Sequence, residues 1–189
     1  KLKYLPDIIN CINLVGKKEM LAEGFPKSRL IPLGQPYLSS IQKISSSIDR
    51  HKIREKLSIS NNISVALFVS EPILENYGDT RGYDQYQALT LFLSAIAASD
   101  RTYCPIIKLH PKDNICSFET ILNKYPSISP VVVKNESTST ELLSVSDLVV
   151  GMTSIMLIEA YILGCAVVSL QPNLKIKDPL ILSRLNLIP

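Results

Sequence analysis

Ser146-Asp147-Leu148-Val149-Val150-Gly151-Met152-Thr153-Ser154, running on into Ile155-Met156-Leu157-Ile158-Glu159-Ala160, joins an apolar run of strand length to an apolar run of helix length through a glycine and two hydroxyl residues. The spacing predicts a strand over 148–150, a helix over 154–163 and, past Gly164 and Cys165, a second strand over 166–170. Two strands joined through a helix by connections this short form a parallel βαβ unit.

The same rhythm extends outward from that unit. Strands are expected over 63–69, 105–109 and 130–133, and helices over 83–98, 117–124, 139–144 and 179–185. Five strands separated by helices predict an α/β fold, a doubly wound parallel sheet of the Rossmann-like kind. Nearer the amino terminus, 7–14 and 29–33 read as short β-rich runs around a helix over 15–23 that Gly24 ends. The serine-rich stretch 39–47 is weakly periodic and reads as a linker or crossover piece. Asp49 is a good N-cap for an exposed helix over 49–57.

Composition narrows the function. The 189 residues are 46% hydrophobic and 20% charged, with seven glycines and four cysteines, which excludes a disordered, collagen-like or disulfide-scaffold chain. A formal charge of +3 with scattered basic residues gives no support to nucleic-acid binding. The longest apolar run, 152–168, is interrupted by Glu159 and Gly164, so no transmembrane segment is expected. No basic start leads into an apolar stretch with a cleavage site. The cysteines, Cys11, Cys104, Cys116 and Cys165, are far apart and each lies in or beside an apolar segment. They read as reduced core residues of a cytoplasmic protein, with no metal site. P-loop, G-x-G-x-x-G, G-x-S-x-G and H-E-x-x-H patterns do not occur, which argues against ordinary nucleotide triphosphatases, dinucleotide dehydrogenases, α/β-hydrolases and zincins. The chain opens on Lys1 without a methionine and stops at Pro189 just past a helix, so both ends are expected to be cuts.

In doubly wound sheets ligands bind beyond the carboxyl ends of the strands. The polar residues that follow the strands are Ser70 and Glu71; His110, Lys112 and Asp113; Gly151, Thr153 and Ser154; and Gln171 and Asn173. Pro111 restricts His110 to an extended backbone. Its imidazole either donates to a phosphate or moves a proton, or else it is a strand-end histidine satisfied by its own loop. His51, in a charged helix, reads as a surface residue. Gly151 to Ser154 is either a phosphate cradle at a helix amino terminus or simple N-capping. Glu159 is the only charge between Thr153 and Gly164, so that helix is expected to be buried nearly all round, and a buried carboxylate needs a partner. A sugar hydroxyl pair or Lys108 would serve. Lys108, inside an apolar strand, either pairs with Glu159 or attracts an anion. Glu71 either lines the cleft or belongs to a turn set by Pro72, and the loop 78–83 is a lid or a plain connection.

The order Gly24-Phe25-Pro26, Arg29-Leu30-Ile31-Pro32-Leu33-Gly34-Gln35-Pro36, Lys108-Leu109-His110-Pro111 and Ser146 to Ser154 followed by Glu159-Ala160 resembles the carboxyl-terminal, donor-binding half of two-Rossmann (GT-B) glycosyltransferases. It is similar in the same way to non-hydrolysing UDP-GlcNAc 2-epimerases, CDP-glycerol glycerophosphotransferases and bacterial sialyl- and polysialyltransferases. The resemblance spans roughly residues 7–170 and rests on the His-Pro and Ser-Asp-Leu-Val-Val-Gly-x-Thr-Ser pieces taken together. It implies that His110 contacts the donor phosphate, that Thr153 and Ser154 hold phosphate oxygens, and that Glu159 binds ribose hydroxyls. Met152 departs from the pattern, standing where a second small residue is often found.

The resemblance further implies that residues 1–48 are the end of an amino-terminal domain with its linker, and that 49–189 are a truncated nucleotide-sugar-binding domain. The expected partners are a CMP-, CDP- or UDP-linked sugar donor and a glycan acceptor in surface or capsular polysaccharide synthesis, with no other cofactor; a homo-oligomer is left open. Chemistry would be displacement at the anomeric carbon, with the leaving phosphate stabilised by the helix amino terminus and His110. No catalytic base stands out, so a full-length glycosyltransferase is expected of which this chain alone is inactive. The rival readings are an epimerase-like isomerase, for which Glu71, Asp113 and Glu159 would have to supply acid and base, and a non-catalytic binding domain.

Overall fold

Residues 4–188 are described by the computed structural model and divide into a unit that ends at Ile41 and a unit that begins at Gln42. In the first, β1 (Ile9–Cys11) runs parallel to β2 (Leu30–Pro32), with Ile9 opposite Leu30, and α1 (Leu14–Ala22) connects them. Asn13 caps α1 by accepting from the Gly16 amide at 2.8 Å. Gly24, at φ +91°, lets the chain leave the helix while the Phe25 amide turns back to the Met20 carbonyl. Two strands and one helix bury little apolar surface. Ile8, Ile12, Leu14 and Leu33 are all exposed, Leu33 by 70%.

The division falls inside α2 (Pro36–Ser46), so the serine-rich stretch is helical and not an irregular linker. Pro36 suits the first helical position. Ser40 and Ser46 donate to carbonyls three residues back, each at 2.9 Å, which ties up hydroxyls that would otherwise compete with the helix backbone.

The second unit continues with α3 (Arg50–Lys56), β3 (Ser64–Val69), α4 (Ile73–Tyr77), α5 (Gln85–Ala97), β4 (Tyr103–Lys108), α6 (Ile115–Leu122) and β5 (Val131–Val133). It ends with α7 (Ser139–Val145), β6 (Leu148–Gly151), α8 (Ile155–Ile162), β7 (Ala166–Ser169) and α9 (Ile181–Arg184). The five strands are parallel in the order β5-β4-β3-β6-β7. β3 is central because it is apolar on both faces, as a strand covered on both sides must be. Val65, Leu67 and Val69 pack with residues of α3, α7, α8 and α9, whereas Ala66 and Phe68 pack with α5 and α6. The strand order reverses at β3, and the crossover helices change face there. The switch point therefore lies between the carboxyl ends of β3 and β6.

Three local expectations change. The helix following Asp49 is not exposed all round, because Ile53, Arg54 and Leu57 are buried beneath it. Arg54 is held by donating to the carbonyls of Ser60 at 2.7 Å and Ile63 at 2.5 Å. α8 is not buried all round: Met156, Leu157, Glu159 and Ala160 face inward, while Ile155 and Tyr161 are exposed. Cys116 lies exposed on α6 and is not a core residue. Among the described residues no helix is long and apolar enough to cross a membrane, and no cluster of metal-ligating side chains occurs.

Candidate functional site at the switch point

The strand ends of the second unit are flush. Val133, Lys108, Val69, Gly151 and Ser169 form one row across the sheet. His110, Glu71, Thr153 and Gln171 each lie two residues beyond that row, past the ends of β4, β3, β6 and β7 respectively. With strands spaced about 4.8 Å apart, the ends of β4 at Lys108 and of β6 at Gly151 are separated by roughly 10 Å, with the end of β3 between them and Glu71 just past it.

Glu71 leans to one side of that gap. Its Oε1 accepts from the Thr153 amide at 2.5 Å and its Oε2 from the Thr153 hydroxyl at 2.7 Å. Arg81 in turn donates to Thr153 Oγ1 at 3.3 Å and stacks on the Tyr77 ring with 3.8 Å to its centroid. The loop carrying Arg81 is a single 3-10 turn, Gly78–Arg81, tied down by the Lys175 amide donating to the Arg81 carbonyl. The loop is thus anchored at its end. Tyr83 donates to Gln171 Oε1 at 3.1 Å, and Gln171 donates to Ser169 and Asp178. Burial pushes the Tyr83 hydroxyl pKa up against the opposing pull of Arg81.

His110 is fixed by its own loop. Its amide donates to Asp113 Oδ2 at 2.7 Å, and its Nδ1 accepts from the Lys112 amide at 3.1 Å. A neutral imidazole so held carries its proton on Nε2. Lys108 does not pair with Glu159: its ammonium donates to the carbonyls of Leu109 and Lys134, the latter at 2.5 Å. β5 is a three-residue edge strand, and the ammonium satisfies the carbonyl just past its end. Burial lowers the Lys108 pKa, partly offset by Glu136. Ser70 is buried, its amide donating to the Lys108 carbonyl and its hydroxyl lacking a partner.

In the turn before α8, Gly151 is close-packed, since a Cβ there would lie 3.2 Å from the Val69 carbonyl oxygen. Met152 is wholly buried with Phe68 and Val150, so its bulk lies in the core. Ser154 is the N-cap of α8, its oxygen accepting from the Met156 amide at 3.3 Å. Glu159 is only 4% exposed, its Oε2 has no partner, and burial raises its pKa.

Arg81, Tyr83 and Asp178 are the site residues that strand-exit reasoning passes over, because none of them follows a strand. The available signal is the isolated arginine in Gly78-Asp79-Thr80-Arg81-Gly82, whose two glycines both adopt positive φ. A cavity of about 480 Å³ lined by Arg50, Ser144, Asp147 and Cys165 lies at the opposite, amino-terminal edge of the sheet, away from where ligands of this fold bind.

Comparison with solved structures identifies the fold. The chain superposes on UDP-GlcNAc 2-epimerase from Neisseria meningitidis bound to UDP-GlcNAc with a TM-score of 0.60 and 17% identity, covering 89% of this chain and 45% of that one. A glycosyltransferase from Rickettsia africae gives 0.58 at 12% identity, covering 86% and 44%. The wall teichoic acid polymerase TagF gives 0.54 at 15% identity, covering 85% and 38%. These likenesses establish a GT-B-like, Rossmann-like fold, and the chain spans less than half the length of the structures it matches. No family model and no curated protein matches the sequence.

Proposed function

We propose that this chain is the donor-binding part of a nucleotide-sugar glycosyltransferase acting in surface-glycan synthesis. The observation that carries this reading is Glu159: a carboxylate 4% exposed, with one oxygen unpartnered, on the inner side of a helix whose amino terminus opens on the switch point. An unpaired buried carboxylate is costly to the fold. Ribose hydroxyls would give it donors, while the Thr153 hydroxyl and amide, the amino end of α8 and His110 Nε2 would take the donor phosphates. In the reaction the same groups would stabilise the negative charge that develops on the leaving phosphate. The acceptor's base is assigned to a part of the protein outside this chain, which alone binds donor without transferring sugar.

An isomerase of the epimerase type shares the fold but needs free carboxylates at the rim. Among the described residues only Glu71, Asp113 and Glu159 could supply that chemistry, and one oxygen of Asp113 is taken by the His110 amide, which favours the transferase. The test is the thermal midpoint of the chain with CMP, CDP, UDP and GDP, for the natural sequence, His110→Ala and Glu159→Gln. A ligand at 100 times its dissociation constant stabilises by about 2.7 kcal/mol. One or more nucleotides are expected to raise the midpoint, and both substitutions to reduce the rise. No rise with any nucleotide rejects the reading in favour of a non-catalytic domain.

A further inference from the structure

We infer that Glu71 is an internal anion that occupies the donor-phosphate cradle when no donor is bound and must leave it when one binds. The inference rests on the donor-binding reading above and deepens it. A phosphate at the switch point would use the Thr153 amide, the Thr153 hydroxyl and the adjacent Arg81 guanidinium. The first two are engaged by the two oxygens of one carboxylate, at 2.5 and 2.7 Å, and the guanidinium reaches the same hydroxyl at 3.3 Å. A carboxylate that bridges a backbone amide and a hydroxyl is bound as a ligand anion would be. Glu71 follows the central strand at the same level past the row of strand ends as His110 and Thr153 on either side, so a phosphate reaching both would pass it.

Two anions cannot share these donors. Glu71 therefore keeps the turn before α8 ordered in the empty protein, and the donor binds in competition with it. The swing is local: Pro72 follows immediately, and α4 beyond it is fastened where Gln85, fully buried, accepts from the Leu74 amide and donates to Glu75.

The test is calorimetric titration of CDP and of inorganic pyrophosphate into the natural chain and into Glu71→Gln and Glu71→Asp, with thermal midpoints recorded alongside. Removing or retracting the competing charge is expected to tighten binding of both probes about tenfold. The unliganded midpoint should fall while the ligand-induced rise grows, because the same substitution strips the cradle of its resident anion. If Glu71→Gln does not fold, Glu71→Asp decides alone. Equal or weaker binding in the folded variants, with the natural chain still binding, overturns the inference and leaves the donor-binding reading standing. Failure of every form to bind either probe overturns the inference, and with no thermal rise for any of the four nucleotides it overturns the donor-binding reading as well.

Discussion

The Nδ1 of His110 accepts a hydrogen bond from the Lys112 amide at 3.1 Å, which turns the opposite ring nitrogen, with its proton, outward from the loop. The histidine is thus both satisfied by its loop and equipped to donate. His110→Asn retains an acceptor near the Nδ1 position and removes the outer donor, whereas His110→Gln carries an amide near Nε2. A hydrogen bond to a charged group contributes about 1.5–3 kcal/mol, so His110→Asn should weaken CDP binding by roughly ten- to a hundredfold while the unliganded stability holds. His110→Gln should retain more of the affinity. Calorimetry on the two variants checks this, and equal affinity in both would place the imidazole outside the binding groups.

Glu159 gives the stability of the empty chain a pH dependence of definite sign. Burial holds its folded carboxyl pKa above the ordinary value, so over the window between the two the folded state binds more protons than the unfolded. Stability contributed by this group is present at low pH and lost as pH rises through the raised pKa. Glu159→Gln should therefore be more stable than the natural chain at about pH 8, and the advantage should vanish by about pH 4. Urea midpoints at the two pH values measure it. No advantage at about pH 8, or a loss there, would mean that the carboxylate has a partner after all.

The strands were legible because a central parallel strand must be apolar on both faces, and Val65 to Val69 satisfies that rule without help from distant residues. The candidate rim was legible for the same reason: once strand ends are known, Glu71, His110 and Thr153 fall at one level. What sequence could not supply was the pairing of polar groups. Lys108 and Glu159 were each in need of a partner, yet Lys108 went to the carbonyl beyond the short edge strand β5, a choice fixed by where that strand stops. Asp147 belongs to the most informative motif of the chain, and its carboxylate accepts from the Val65 amide at 2.8 Å, joining the starts of β3 and β6. That contact spans 82 residues, and no local pattern encodes it.

Arg54 makes the largest departure from a surface reading of α3. It is 8% exposed, and its guanidinium serves the carbonyls of Ser60, Ile63 and, at 3.4 Å, Val145. Arg54→Met keeps most of the aliphatic packing and withdraws those donors. Leaving partly buried carbonyls without them should cost about 2–3 kcal/mol, read as a lower urea midpoint with an unchanged denaturant slope. A loss within about 0.5 kcal/mol would show that water replaces the guanidinium and that the contact is peripheral.

Gly82 joins the Arg81 turn to the segment after β7 by an approach that no side chain permits. It sits at φ +87°, and a Cβ there would lie 2.2 Å from the Asn173 carbonyl oxygen. Gly164, which ends α8 at φ +81°, has open space around the same position. Alanine at Gly164 should meet the left-handed backbone penalty alone, about 1 kcal/mol. Gly82→Ala adds a clash with backbone that only loop movement relieves, so it should cost about 2–3 kcal/mol and separate the two segments. Because Arg81 reaches Thr153 from this turn, amide exchange should quicken across 78–84 and 171–178 in Gly82→Ala and stay unchanged there in Gly164→Ala. Equal losses in the two variants, with exchange unaltered, would show that the contact with Asn173 yields without cost and that Arg81 is held by its stacking on Tyr77 instead.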